Sequence, residues 1–249
     1  MLLLYANNPS PWTGPTGNNT YLMTGAAPAL IDAGIGEPAH LDAIASALAG
    51  ALLTSVLITH WHPDHIGGLA AITARWPKVR VIRFGESIQD PIQVGSTVVR
   101  AVHTPGHSPD HLCFFDEESR DLYCGDLVRT GGSIVIPASK GGNVRHYLDS
   151  LARVRALSPR RLLPGHGPII DDPVAAIDGY VKHRMEREEQ VLAALADGLM
   201  LPVQITSRVY GPLSVGLAAA AEDTMLAHLM KLHDDGRAFV SDDGWRLSC

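Results

Sequence analysis

The sequence has little cysteine, no excess of basic charge and no long apolar run, and each shortage removes a class of protein. Its three cysteines, Cys113, Cys124 and Cys249, include no CxxC pair. That is a poor disulfide framework and a poor thiolate zinc site. Buried thiols are the expectation for Cys113 and Cys124, while their placement on either side of the polar turn 116–121 leaves cross-strand pairing open. A formal net charge of −6 argues against a broad nucleic-acid surface, because such surfaces neutralise phosphates with Lys and Arg. The apolar opening Met1 to Tyr5 stops at Asn7-Asn8-Pro9, without the basic start or the length of a signal peptide or membrane span. A soluble, cytoplasmic protein with no membrane partner is therefore expected. Repeats and low-complexity tracts are also absent, so disorder is not expected beyond the termini.

What is there suits one large domain with a smaller appendage: 249 residues, 46% of them hydrophobic and 18% charged. Short apolar runs at 21–23, 29–31, 56–58, 79–82, 98–102, 112–115, 122–124 and 161–163 predict strands. Helical spacing is found at 38–48, 68–76 and 144–157, with Pro38 near a helix start and Pro77 just past a helix end. Mixed strands and helices predict an α/β sandwich over residues 1–173. From 174 to 249 the pattern changes to helices at 174–195, 203–209 and 217–233, followed by a hairpin around Asp242-Asp243-Gly244. This reads as a winged-helix-like appendage. It carries a net −4 over residues 176–249, from seven Lys or Arg against eleven Asp or Glu, so duplex DNA is not expected as its partner and a DNA-binding sensor is a remote reading.

The chemistry concentrates in Thr59-His60-Trp61-His62-Pro63-Asp64-His65, directly after a strand. Composition alone places about 0.3 histidines in such a six-residue window, and this one holds three. In a loop leaving a strand, residues i and i+2 share a side, so His60 and His62 can converge on one cation while Asp64 and His65 turn to another. Imidazole and carboxylate suit Zn²⁺, Fe²⁺ or Mn²⁺. Three further signals follow strand ends: His107 in Thr104-Pro105-Gly106-His107, Asp126 in Gly125-Asp126, and His166 in Pro164-Gly165-His166-Gly167.

In this order the motifs of residues 1–170 resemble the metallo-β-lactamase superfamily. The resemblance implies an αββα four-layer sandwich and a hydrolase with two metal ions per chain, Zn²⁺ most simply. It implies that His60, His62 and His107 hold one ion, that Asp64, His65 and His166 hold the other, and that Asp126 bridges them. Asp32 in Leu30-Ile31-Asp32-Ala33-Gly34 resembles the acid that orients the His-rich loop. Metal binding would bring the pKa of a water toward neutrality and so supply the nucleophile, with Asp126 holding it and Asp64 available as a proton shuttle. His62 stands where iron redox members carry Glu, and Asp126 holds the bridging position where a Cys ligand is common nearby in true β-lactamases, so electron transfer and β-lactam hydrolysis are minor readings.

Asn18-Asn19-Thr20-Tyr21-Leu22, the loop 7–11 and the stretch Lys182-His183-Arg184 with Arg187-Glu188 resemble more narrowly the β-lactamase-like protein 2 group. That group has a C-terminal winged-helix-like domain and includes a single-strand-selective endoribonuclease. Single-stranded RNA would need a positive groove, from Arg129, Lys140, Arg145, Arg184 and Arg187. The acidic balance and the Gly-rich insertion 129–143, which departs from the group and should lie near the metals, favour a small acyl substrate: a thioester, ester or lactone. Trp12, Tyr147, His183, Arg184 and Arg187 are the candidate substrate contacts. His111, four residues after His107, is expected to support the loop, and a homodimer is left open.

Overall fold

The computed structural model describes every residue except Ser87, Gln89, Leu199 and Cys249. Strands β1 (Leu2–Tyr5), β2 (Asn19–Met23), β3 (Ala29–Ile31), β4 (Ser55–Leu57) and β5 (Arg80–Ile82) form one sheet in chain order. A second sheet contains β6 (Ile92–Val94), β7 (Thr97–His103), β8 (Leu112–Asp116), β9 (Asp121–Gly125) and β10 (Arg161–Pro164), ordered β10-β9-β8-β7-β6. The first sheet starts antiparallel and turns parallel at β3, where helix α1 (Pro38–Leu48) provides the crossover to β4.

Period-two patterning decides which face each strand buries. Tyr21, Met23, Ile31 and Leu57 point between the sheets, against Phe114, Tyr123 and Leu163. Their neighbours Leu22, Leu30, Val56 and Ile58 face outward, against Ile44 of α1 and Ile72 of α3 (Leu69–Arg75), which follows the single turn α2 (Pro63–Ile66). On the opposite face Phe115, Leu122 and Leu162 meet Leu151 and Val154 of α4 (Val144–Ala156). The result is the expected αββα sandwich. Cys113 and Cys124 are buried free thiols on the α4-facing side.

The long α5 (Pro173–Ala196) is shared by two cores. Ile177 and Tyr180 pack on the sandwich, whereas Val191, Ala194 and Leu195 pack with α6 (Pro202–Tyr210), α7 (Val215–Asp234) and the hairpin β11 (Ala238–Ser241) and β12 (Gly244–Leu247). Helix α7 then returns to the sandwich at the segment 136–139. Its Asp223 accepts from the Ser139 amide and hydroxyl, at 2.8 and 2.6 Å, and Thr224 Oγ1 accepts from the Ile136 amide at 3.2 Å. Among the described residues no helix is long and apolar enough to cross a membrane.

The sequence pattern misses β1, β6 and α2. The exposed residues Leu2 and Tyr5 at the ends of β1 show no simple alternation, and its strand character comes from pairing with β2. Three-residue β6 is completed by β7 in the same way.

Candidate metal centre

Strand ends and the loops that follow them deliver the candidate ligands to one rim of the sandwich. Thr59 and His60 leave β4, Asp126 leaves β9 and His166 leaves β10. The two sheets are tied together here by the Leu112 amide on the Thr59 carbonyl at 2.7 Å and the Asn19 amide on the Gly165 carbonyl at 2.8 Å. Pro63 keeps His62 extended (φ −63°, ψ 142°) and then starts the turn of α2, which carries Asp64 and His65. Gly165 is required by proximity: a Cβ there would lie 2.6 Å from His65 Cε1 and 3.0 Å from Asp126 Oδ1.

Two ligand sets result. His60 Nε2 lies 3.0 Å and His107 Nε2 2.9 Å from His62 Nδ1. Three nitrogens on one tetrahedral ion at about 2.0–2.1 Å would be about 3.3 Å apart, so this spacing fits a shared cation. In the second set Asp64 Oδ2 is 3.5 Å from His65 Nε2 and 3.4 Å from His166 Nε2. Asp126 faces both sets: Oδ1 lies 3.4 Å from His65 Nε2 and 3.2 Å from His166 Nε2, and Oδ2 lies 3.7 Å from His107 Nε2. All seven expected ligands are thus brought together in overlapping groups able to hold metal.

The electrostatics separate the sets. Burial, followed by the nearby His65 and His107 charges, pushes His60 well below its ordinary value. Burial likewise lowers His62, to about 4, and His107. This set is neutral near pH 7, as ligation requires. Burial also opposes charge on His65 and His166, but carboxylates outweigh it: Asp32 and Asp126 raise His65, and Asp126 and Asp64 bring His166 to about 9. Burial opposes ionisation of Asp126 too, and the His166 and His65 charges hold it well below the carboxylate range. Buried His65 Nε2 and Asp126 Oδ1 have no hydrogen-bond partner. A site of two anionic carboxylates, converging imidazoles and unpartnered buried donor atoms fits divalent cations.

The surrounding contacts fix the ligands. Asp32 Oδ2 accepts from His65 Nδ1 at 2.8 Å, and Asp32 Oδ1 accepts from the Thr59 amide at 2.8 Å, which turns His65 Nε2 to the centre. His107 Nδ1 donates to the Val135 carbonyl at 2.7 Å. The insertion 129–143 therefore does reach the centre.

The sequence profile of the Metallo-beta-lactamase superfamily matches residues 13–83 and 80–166. The chain belongs to the metallo-beta-lactamase superfamily. A profile of the beta-lactamase associated winged helix domain matches residues 202–245. The chain is 31% identical to a Beta-lactamase-like protein 2 homolog of Caenorhabditis elegans over 94% of its own length and 84% of that protein. It is 34% identical to an atrochrysone carboxyl ACP thioesterase of Cryptosporiopsis sp. over 78% of its length, but only 62% of the relative's. A metallo-beta-lactamase family protein of Thermus thermophilus shares the fold with a TM-score of 0.78, covering 99% of this chain and 97% of that one at 24% identity. The protein is a metallo-beta-lactamase-fold hydrolase with a C-terminal winged-helix domain.

Beside this superfamily centre lies a cleft of about 670 Å³. Of the five expected substrate contacts, only Trp12 lines it. Tyr147 is a correction: it is fully buried behind Gly106, where a Cβ would collide with the Tyr147 backbone, and its hydroxyl donates to the Leu127 carbonyl at 2.5 Å. Arg184 is a second, since it is 1% exposed and donates to the Ile134 carbonyl from behind the cleft wall. His183 and Arg187 do not line the cleft either; Arg187 stacks on Tyr210, which does. The far wall comes from Leu213, Leu217, Ala219 to Ala221 and Thr224, at and around the start of α7. These residues have no signal in sequence beyond an apolar helix.

Two further residues support the ligands. Asn18 is fully buried and donates from Nδ2 to Asp64 Oδ2 at 3.0 Å, held in turn by Asn8 Nδ2 on Asn18 Oδ1 at 2.8 Å. His111 Nε2 accepts from the Asp126 amide at 3.1 Å, which gives the expected loop support a specific target. Asn18 was visible only as part of a family-like stretch, because its partner is 46 residues away. Supports of this kind are worth about 10–100-fold in affinity or activity. Asn18→Ala should accordingly weaken metal binding or lower kcat/KM by about 10-fold or more, as read by competitive metal titration and steady-state kinetics. Wild-type values for both would contradict the role assigned to the amide.

Proposed function

We propose that the protein hydrolyses small acyl substrates, thioesters, esters or lactones, at a centre of two divalent cations, most simply Zn²⁺, with Fe²⁺ or Mn²⁺ suited to the same donors. His60, His62 and His107 would hold one ion, Asp64, His65 and His166 the other, and Asp126 would lie between them. Bound there, the cations would bring a water toward ionisation near neutral pH and polarise the oxygen under attack. Asp126 would orient that water through its carboxylate. Burial works against ionisation of Asp64, yet the hydrogen bond from His166, the charge of His65 and the Asn18 amide keep its carboxyl below the ordinary range. Partly exposed to the cleft, Asp64 would, on giving up its hold on a cation, be placed to accept the proton of the attacking water and return it to the leaving sulfur or oxygen.

The observation that carries the acyl reading is the cleft wall. Trp12, Ile134, Pro137, Leu213 and Leu217 make a largely apolar chamber beside the metal ligands, with Lys140 and Arg129 the cations among its lining residues. Such a chamber suits an apolar acyl group with one anionic end. The thioesterase name of one relative supports the same reading. A groove for single-stranded RNA finds less support, because of the five basic residues that would form it only Arg129 and Lys140 line the cleft. Arg184 is buried, Arg145 pairs with Asp235, Arg129 Nη1 donates to the Trp12 carbonyl at 2.8 Å, and Arg187 lies against Tyr210.

The test is a parallel assay of metal-loaded protein on an acyl thioester, a lactone, a β-lactam and single-stranded RNA across a salt series. Hydrolysis of a thioester or lactone with a KM that changes little with salt is expected. Cleavage of RNA with a KM that rises steeply with salt, and no acyl turnover, would overturn the proposal.

A further inference from the structure

A second cluster of polar groups lies where α5 packs on α7, outside the metal cleft. Arg184 is 1% exposed, and one of its Nη groups donates to the Ile134 carbonyl while its guanidinium stacks over Tyr147 at 5.1 Å. Its Nε and Nη1 are buried and have no partner among the described residues. His228 of α7 is fully buried, and neither ring nitrogen has a partner. The Nε2 of His183 and the Nε of Arg187 are in the same condition.

The helix register brings these groups to one level. Lys231, three residues beyond His228, binds Glu188, four beyond Arg184, at 2.7 Å. Thr224, four residues before His228, binds the amide of Ile136, next but one to the Ile134 carbonyl that Arg184 holds. His228 therefore sits between two contacts that bracket Arg184. Consistent with this, burial and the charges of Arg184 and Arg187 lower His228 to about 3, so it is neutral at pH 7 and offers one ring N–H.

No carboxylate balances this charge. Glu188 is committed to Lys231 and to Arg237, each at 2.7 Å, and among the described residues no acid lies within ion-pair distance of Arg184 or Arg187. Arginine stays protonated in proteins, and a buried charge without a partner is strongly unfavourable. Of the six unpartnered buried nitrogens on these four side chains, the three on Arg184 and Arg187 can only donate and neutral His228 offers one more N–H, a donor set in need of an acceptor.

We propose that this junction is a binding site for a compact tetrahedral oxyanion of the phosphate class, held by Arg184, Arg187, His183 and His228. Donors arriving from two helices match the several acceptor oxygens of a phosphate better than the two of a carboxylate. Entry is from the side of His183 and Arg187, which are only half-buried. The site is coupled to the cleft by short links: Arg184 holds Ile134, Thr224 holds Ile136, and the intervening Val135 carbonyl accepts from His107. The anion thus steadies the loop on which one metal-ligand histidine rests.

The experiment titrates inorganic phosphate into the metal-loaded full-length chain at constant ionic strength, by calorimetry and by thermal unfolding, alongside Arg187→Gln and His228→Leu. Phosphate taken up by the metal centre is common to all three proteins. Wild type is expected to show one additional saturable site and a saturable rise in Tm of several degrees, with affinity at that site at least about tenfold weaker in both variants. Arg187 is half-buried, so Arg187→Gln keeps the test informative should His228→Leu fold poorly. Identical phosphate isotherms in wild type and Arg187→Gln would overturn the proposal, as would an equal rise with chloride. An equal rise with acetate would overturn the phosphate assignment.

Discussion

His60→Ala and Asp126→Ala are each expected to lower kcat/KM by at least about 10³-fold, equivalent to about 4 kcal/mol of transition-state stabilisation, while leaving the fold intact. His60 Nε2 and His107 Nε2 each lie about 3 Å from His62 Nδ1, so in the proposed centre loss of His60 would leave one ion with two protein nitrogens. Asp126 faces both ligand sets, and its loss removes a negative charge shared by His65, His166 and His107. Neither residue belongs to the apolar clusters that hold the sandwich together. Circular dichroism and the unfolding midpoint should therefore resemble wild type, with metal content reduced. Full turnover in either variant would contradict the account.

The second large effect is expected from ending the chain near Asp172. The truncation removes Ile177, Tyr180 and Ala227 from the cluster around Tyr147, Leu151 and Leu162, and exposes that apolar face to water. It also removes Leu213, Leu217 and Thr224 from the cleft wall and frees the loop that carries Val135. The candidate metal ligands all remain. Low solubility is expected, and in any soluble fraction KM should rise at least about tenfold, with metal content close to that of the full chain. Sedimentation, metal analysis and steady-state kinetics read these separately. A soluble truncated chain with wild-type kcat and KM would show that the C-terminal domain is independent of catalysis.

What could be read from the sequence follows the range of the interactions. Four candidate ligands sit within six residues after β4, where strand and turn geometry alone make them converge, and the local pattern sufficed. His107, Asp126 and His166 were recognisable because each follows a strand end in a characteristic short motif. The cleft was harder. His183 and Arg187, four residues apart, share one side of α5, but spacing does not say which side meets a neighbour. Arg184 turned inward to the Ile134 carbonyl because α7 and the insertion close over it. Tyr147 was placed at the substrate for its position after the insertion, yet it fills the space behind Gly106. Asn18 acts on a partner 46 residues away, which no local pattern contains.

Activity against metal occupancy tests the central claim most directly. Chelated protein reconstituted with zero, one and two equivalents of Zn²⁺ would be assayed for hydrolysis of an acyl thioester, with bound metal counted in the same samples. The account predicts no turnover without metal, a maximum at two ions per chain, and no recovery for Asp126→Ala at any ratio. Thioester hydrolysis that is unchanged by chelation, or reconstituted protein with two ions bound and no acyl turnover, would contradict it.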